Sequence, residues 1–136
     1  MVSYFMTLKK MESYKDFRAA IFLMLDDIVM QHSQDSAFYL EKFDCLVIMN
    51  YRNHALGSNE IVENAQAMLR EASTLKKKIV VAVETVKSTE GPRDSFYSMS
   101  NDAIEKELPS AHNQLTRCAS YAGFAIHDFK SWQDMK

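Results

Sequence analysis

The stretch Lys78-Ile79-Val80-Val81-Ala82-Val83-Glu84-Thr85 decides how this chain is read. It is short, apolar and rich in β-branched residues, the pattern of a strand covered on both faces. It ends on a carboxylate, and the exit of a buried parallel strand is where α/β folds keep their chemistry. Glu84 is therefore the first candidate site residue. Lys76, Lys77 and Lys78 suit the C-terminus of the preceding helix, where cations meet the negative end of the dipole.

Working outward, two further stretches read the same way. Phe43-Asp44-Cys45-Leu46-Val47-Ile48-Met49-Asn50-Tyr51 is a second buried strand, followed by polar Arg52-Asn53-His54. Gly123-Phe124-Ala125-Ile126-His127-Asp128-Phe129 is a third, again ending on polar groups. Between the first two lies an amphipathic helix marked by Ile61, Ala65, Met68, Leu69, Ala72 and Leu75, with Gly57-Ser58-Asn59 giving a turn and an N-cap. Val86 to Asp94 is a loop directly after Glu84. Ser100 opens a short helix through Glu107, Pro109 ends it, and Ser110 starts another with Leu115, Cys118 and Ala122 inward and Gly123 as its C-cap.

Upstream the pattern changes. Val2 to Leu8 reads as a strand, and Ser13 with Asp16 as a capping box opening a helix through Ile28, apolar nearly all round in its middle. Gln31 to Ser36 is a polar linker. Strand–helix alternation of this kind implies parallel strands joined by helical crossovers, an α/β protein.

Alternation along each strand assigns faces. Glu84 shares one with Ala82 and Val80, His127 with Ala125 and Gly123, and Tyr51 with Met49 and Val47. Small residues beneath Glu84 and His127 suit a crowded barrel interior. The strand ends then present Tyr51, Glu84 and His127 on one rim, a carboxylate and an imidazole able to do acid–base work. Asn50 and Arg52 are candidate ligand contacts, Arg52 as a clamp for an anionic group. The plainer readings are an ion pair from Glu84 to Arg52 or Lys87, a structural histidine, a packed Tyr51 ring and a solvated arginine.

The bulk numbers bound the rest. At 136 residues the chain is one domain, able to bury roughly two thirds of its unfolded surface. Sixteen basic and eighteen acidic residues leave a net charge of −2, which gives no reason to expect nucleic acid or an anionic membrane as partner. Cys45 and Cys118 lie in apolar surroundings and read as free thiols. There is no C-x-x-C or metal-ligand spacing, so no metal is expected. Glycine occurs only at positions 57, 91 and 123, so no phosphate loop and no cofactor are expected either. The N-terminus lacks a signal-peptide pattern, which fits a cytosolic protein or a piece of a longer exported one.

Three motifs carry a resemblance. Met49-Asn50-Tyr51-Arg52, Val83-Glu84-Thr85 and Gly123-Phe124-Ala125-Ile126-His127 resemble, in order, the ends of the sixth, seventh and eighth strands of chitinase-like TIM barrels, a group of bacterial glycosidase-like proteins. Ser95-Phe96-Tyr97 has a counterpart there too, and the likeness covers residues 43 to 132. It implies a partial (β/α)8 barrel, about strands 5 to 8, with site groups at the C-terminal strand ends. It also implies a carbohydrate ligand, and Glu84 in the position of a strand-seven nucleophile. The acid/base carboxylates of such enzymes end the fourth strand, outside this chain, and Asp128 is expected to point away from Glu84. A glycan-directed half-barrel, inactive alone and self-associating or completed by an N-terminal half, is the first expectation. A self-contained flavodoxin-like binding or regulatory module is the second.

Overall fold

The apolar runs at the centre of this chain become strands because both of their faces are buried, and with two flanking strands they form one parallel sheet. The computed structural model describes residues 20–24 and 40–135. In chain order the elements are β1 (Ala20–Met24), β2 (Cys45–Met49), α1 (Ile61–Thr74), β3 (Lys78–Glu84), a single 3₁₀ turn (Pro92–Asp94), α2 (Asn101–Leu115), β4 (Tyr121–His127) and α3 (Phe129–Asp134). The sheet order is β1-β2-β3-β4 with every neighbouring pair parallel. It is an open sheet, with β1 and β4 at its edges among the described residues.

The two described crossover helices lie on one face. Ile61, Ala65, Met68, Leu69 and Ala72 of α1 join Ile104, Leu108, Ala111 and Leu115 of α2 in a single cluster with Leu46, Ile48, Ile79, Val81, Val83 and Phe124 of the strands. Cys45, Val47, Val80 and Ala82 are buried on the other face, beside Ala122 and Ala125. Large aliphatics face the helices and small side chains face away, as the alternation requires. Among the described residues, then, both crossover helices cover this one face, and the connection from β1 to β2 lies outside them.

Chain ends of the helices follow local chemistry. α1 closes with Lys77 N–H donating to Ala72 O at 2.8 Å and Lys76 N–H to Ser73 O at 3.2 Å, while Lys76 takes a left-handed φ of 55°. This is a Schellman closure, so the lysines lie just past the helix rather than in its last turn. The N-cap of α1 is Glu60, without a side-chain cap bond, and Asn59 sits before it in the left-handed region.

Three expectations are corrected. Ala20–Met24 is a strand paired with β2, where the sequence suggests the middle of a helix. An unbroken apolar run of five residues has no period to distinguish the two, and pairing with the sheet decides it. The remainder of that expected helix, the Val2–Leu8 strand and the Gln31–Ser36 linker lie outside the described residues. Pro109 does not end a helix: α2 runs through it as one element. The buried stripe Ile104, Leu108, Ala111 and Leu115 spans both sides of Pro109, and its packing outweighs the local cost of the missing N–H, typically about 3 kcal/mol. Gly123 is not a C-cap but belongs to β4, together with Ala122.

Candidate active site at the carboxyl edge of the sheet

Glu84 closes β3, and its register partner on β4 is His127. Met49 of β2 pairs with Ala82, so Tyr51, two residues on, stands beside Glu84 on the same face. Three neighbouring strands thus bring Tyr51, Glu84 and His127 together.

For β4 this depends on a bulge. Ile79 pairs with Tyr121 but the next residue, Val80, pairs with Gly123, leaving Ala122 as an extra residue in β4. Tyr121 faces the helices. Simple alternation from Tyr121 would send His127 to the helices as well. The extra residue reverses the parity, so that Phe124 and Ile126 join the helix-side core while Ala125 joins the opposite face. His127 follows Ala125. Gly123 carries a φ of 125°, a conformation that L side chains rarely adopt, and this is why a glycine stands at the bulge.

The carboxylate of Glu84 is fixed at both oxygens. Oε1 accepts from Thr85 N–H at 2.8 Å and Val86 N–H at 2.7 Å, and Oε2 lies 2.9 Å from His127 Nδ1. Its side chain is only 11 % exposed, against 61 % for His127. Ion pairing to Arg52 or Lys87, the plainer reading of Glu84, is not found among its hydrogen bonds. Tyr51 is half-buried, and its phenol is pushed up from its ordinary value by burial first and by the Glu84 carboxylate second. Tyr51 and Glu84 open onto a cleft of ≈ 190 Å³ lined also by Val86, Lys87, Ser88, Thr89, Glu90 and Asp94. His127 adjoins this cleft through Glu84 without lining it.

Arg52 and Asn50 are placed differently from the ligand contacts anticipated for them. Arg52 Nη1 donates to Asp94 Oδ1 at 2.9 Å and to its neighbour Tyr51 O at 2.7 Å, while Nε donates to Asn59 O at 2.9 Å. It ties the loop after β2 to the loop after β3. Arg93 with Glu60, and Asn53 with Pro92 O and Ser95 O, make the same connection. Asn50 has the opposite parity to Tyr51. It is buried and donates to Ile61 O at 2.7 Å, joining β2 to the start of α1.

Several residues support the site through bonds that the sequence does not announce. Thr85 is buried, and its hydroxyl is within hydrogen-bond distance of His127 O at 3.0 Å, Asp128 O at 3.1 Å and Ser131 Oγ at 2.9 Å. Thr85 N–H also donates to His127 O. Asp128 caps α3, accepting from Ser131 N–H at 2.7 Å, and those bonds from Ser131 hold its carboxyl below the usual aspartate range. It is occupied there and does not provide a second carboxylate beside Glu84. Ser95 Oγ donates to Val86 O at 2.6 Å and Phe96 N–H to Glu84 O at 2.9 Å, which folds the 86–95 loop back under the rim. Polar residues around a turn announce loop structure; only the folded backbone shows which carbonyls they reach.

Among the described residues no group of three or more His, Cys, Asp or Glu side chains could hold a metal ion. No described helix is long and apolar enough to cross a membrane. Cys45 and Cys118 are free thiols. No family model, no curated protein and no solved structure matches this chain.

Proposed function

We propose that this chain is the C-terminal half of a (β/α)8-type barrel, about strands 5 to 8, whose carboxyl rim takes a carbohydrate. The observation that carries the reading is sequential parallel strand order combined with α1 and α2 on one face. Successive βα units wound in one sense keep their helices together, as a barrel wall does, whereas a doubly wound sheet reverses order and covers both faces. The opposite face suits a barrel interior, since Ala82, Ala122 and Ala125 leave little bulk there.

The rim supports a neutral, hydroxyl-bearing ligand. Around the cleft, Tyr51, Ser88, Thr89 and Lys87 supply donors and Glu84 and Glu90 supply carboxylate acceptors. A sugar hydroxyl both donates and accepts, so interleaved groups of this kind match it. Cleavage of the usual two-carboxylate type is not expected of the chain by itself. It needs a pair of carboxyl groups held on either side of the scissile bond; Asp94 and Asp128 are engaged with Arg52 and Ser131, and Glu90 stands exposed on the loop after β3 rather than fixed by a strand.

Two measurements test this. Titrating ¹⁵N-labelled protein with neutral oligosaccharides of several linkage types should shift the amides of Tyr51, Glu84, Ser88 and Thr89, and Tyr51→Ala should abolish the response. Absence of shifts at millimolar sugar, or a response to phosphate esters alone, overturns the ligand assignment. Sedimentation should show self-association, because a half-barrel exposes strand edges. A sharp monomer would remove the half-barrel.

A further inference from the structure

We propose that the reactive group of this rim is His127, acting as a proton acceptor at Nε2 toward a ligand hydroxyl or a water, and that Glu84 acts through it as a positioning residue. The inference rests on the rim being a site for a hydroxyl-bearing ligand, but it reverses the roles that strand position alone suggests. Glu84 ends its strand as a nucleophile would, yet its carboxylate is already held by three donors.

The hydrogen bonds fix the tautomer. Oε1 accepts two backbone N–H groups, the pattern of an ionised carboxylate, which has only acceptors to offer. An imidazole is a stronger base than a carboxylate, so the hydrogen shared across the 2.9 Å between Oε2 and Nδ1 of His127 is assigned to Nδ1. In the neutral ring the lone pair is then at Nε2. No hydrogen bond reaches Nε2 from the described residues, and the side chain is 61 % exposed.

The other described histidines lack this arrangement. His54 Nδ1 is 3.7 Å from Glu107 Oε1, beyond hydrogen-bond length. His112 Nδ1 is 3.1 Å from the Tyr121 hydroxyl, which either donates or accepts and so sets no tautomer. Thr85 completes the case, because its amide and hydroxyl hold the His127 carbonyl and so fix where the ring leaves the backbone. The charged groups near His127 are Glu84 from β3 and its own neighbour Asp128, which Ser131 holds; Tyr51 stands beyond Glu84 and is neutral below its raised pKa.

In the step itself the hydroxyl proton moves to Nε2 and the bonding pair stays on the hydroxyl oxygen. The imidazolium is stabilised by the Glu84 carboxylate and returns the proton to the oxygen when the ligand leaves, so the transfer is reversible and consumes nothing. No oxidant or metal enters.

Long-range ¹H–¹⁵N correlation of the imidazoles in the wild-type protein, with no saccharide present, tests the assignment directly. At a pH above the ring's titration His127 should show the Nδ1–H tautomer. In Glu84→Gln the amide oxygen takes the place of Oε1 against the Thr85 and Val86 N–H groups and the amide nitrogen then donates to Nδ1, so the ring should switch to the Nε2–H tautomer. Diethyl pyrocarbonate, an acyl donor that forms a bond to the free ring nitrogen and loses ethyl carbonate, should modify His127 faster than His54 in the wild type. A Nε2–H tautomer in the wild type overturns the proposal, and so does a tautomer unchanged by Glu84→Gln. Should Glu84→Gln fail to fold, the wild-type tautomer decides. Because no sugar is used, failure here leaves saccharide binding standing, and failure to bind saccharide leaves the tautomer and reactivity intact.

Discussion

The two faces of the sheet are built from the same strands but solve different problems. On the helix side, Leu46, Ile48, Ile79, Val81, Val83 and Phe124 meet two amphipathic helices and form one continuous core. On the other side, Cys45, Val47, Val80 and Ala82 make a small cluster whose neighbours are alanines. Stability belongs mainly to the first, because buried apolar area is concentrated there. The site belongs to the second, since Tyr51, Glu84 and His127 continue that face past the strand ends. Alternation separates the two roles within single strands: Val83 anchors the core and Glu84, one residue later, joins the rim.

The largest expected break in this contrast comes from the helix side. Phe124→Ala removes a fully buried ring that makes an edge-to-face contact with Tyr121 at 5.8 Å between centroids. It should cost about 3–5 kcal/mol in chemical denaturation, the range for aromatic truncation in a core. A loss below about 1 kcal/mol would mean that this face is not the stability centre. On the other side the informative change is enlargement. Ala82→Leu should cost about 1–3 kcal/mol if that face is closed, as overpacking does. A neutral result would show that the face is open to solvent, where an added side chain has room.

A smaller change should act on the site more than on the fold. Gly123→Ala places a Cβ at a φ of 125° and should destabilise by about 1–2 kcal/mol. Its sharper readout is the imidazole tautomer, because the bulge aims His127 at Glu84. If relaxing the bulge reverses the strand's parity, the Nδ1–H tautomer should be lost. A variant that loses stability but keeps the wild-type tautomer would show that the bulge is not what aligns the pair.

The sequence carried much of this contrast and missed some of it for identifiable reasons. β3 and α1 were legible because a β-branched run and a 3.6-residue period are each strong signals over their length. The shared face of Tyr51, Glu84 and His127 was legible because alternation within each strand needs no knowledge of packing. The same rule excludes Asn50 from that face, since it is one residue from Tyr51. The bulge left no local signature apart from a glycine, which reads equally well as a helix C-cap. Ala20–Met24 lacked any period, and Pro109 was outweighed by the stripe around it. The bonds of Arg52 and Thr85 join residues about forty positions apart, which no local pattern encodes.

Cys45 offers the smallest effect and the finest probe of the second face. Burial pushes its thiol up from 9.0 to about 11, opposed by a backbone hydrogen bond and by Lys78. At pH 8 only about one such thiol in a thousand is ionised, and the thiolate is the species that reacts. Iodoacetamide should therefore label Cys118 first and leave Cys45 almost untouched, as mass spectrometry of the labelled peptides would show. The linkage to stability follows from the same shift. A thiol with a raised folded-state pKa contributes fully below its unfolded value near 9.0, and that contribution is lost as pH rises toward about 11. Alkaline destabilisation across that window should weaken in Cys45→Ala. If Cys45 labels as fast as Cys118 at pH 8, the small-residue face opens in solution, and the contrast between a sealed core and a closed interior gives way to one between a core and a surface.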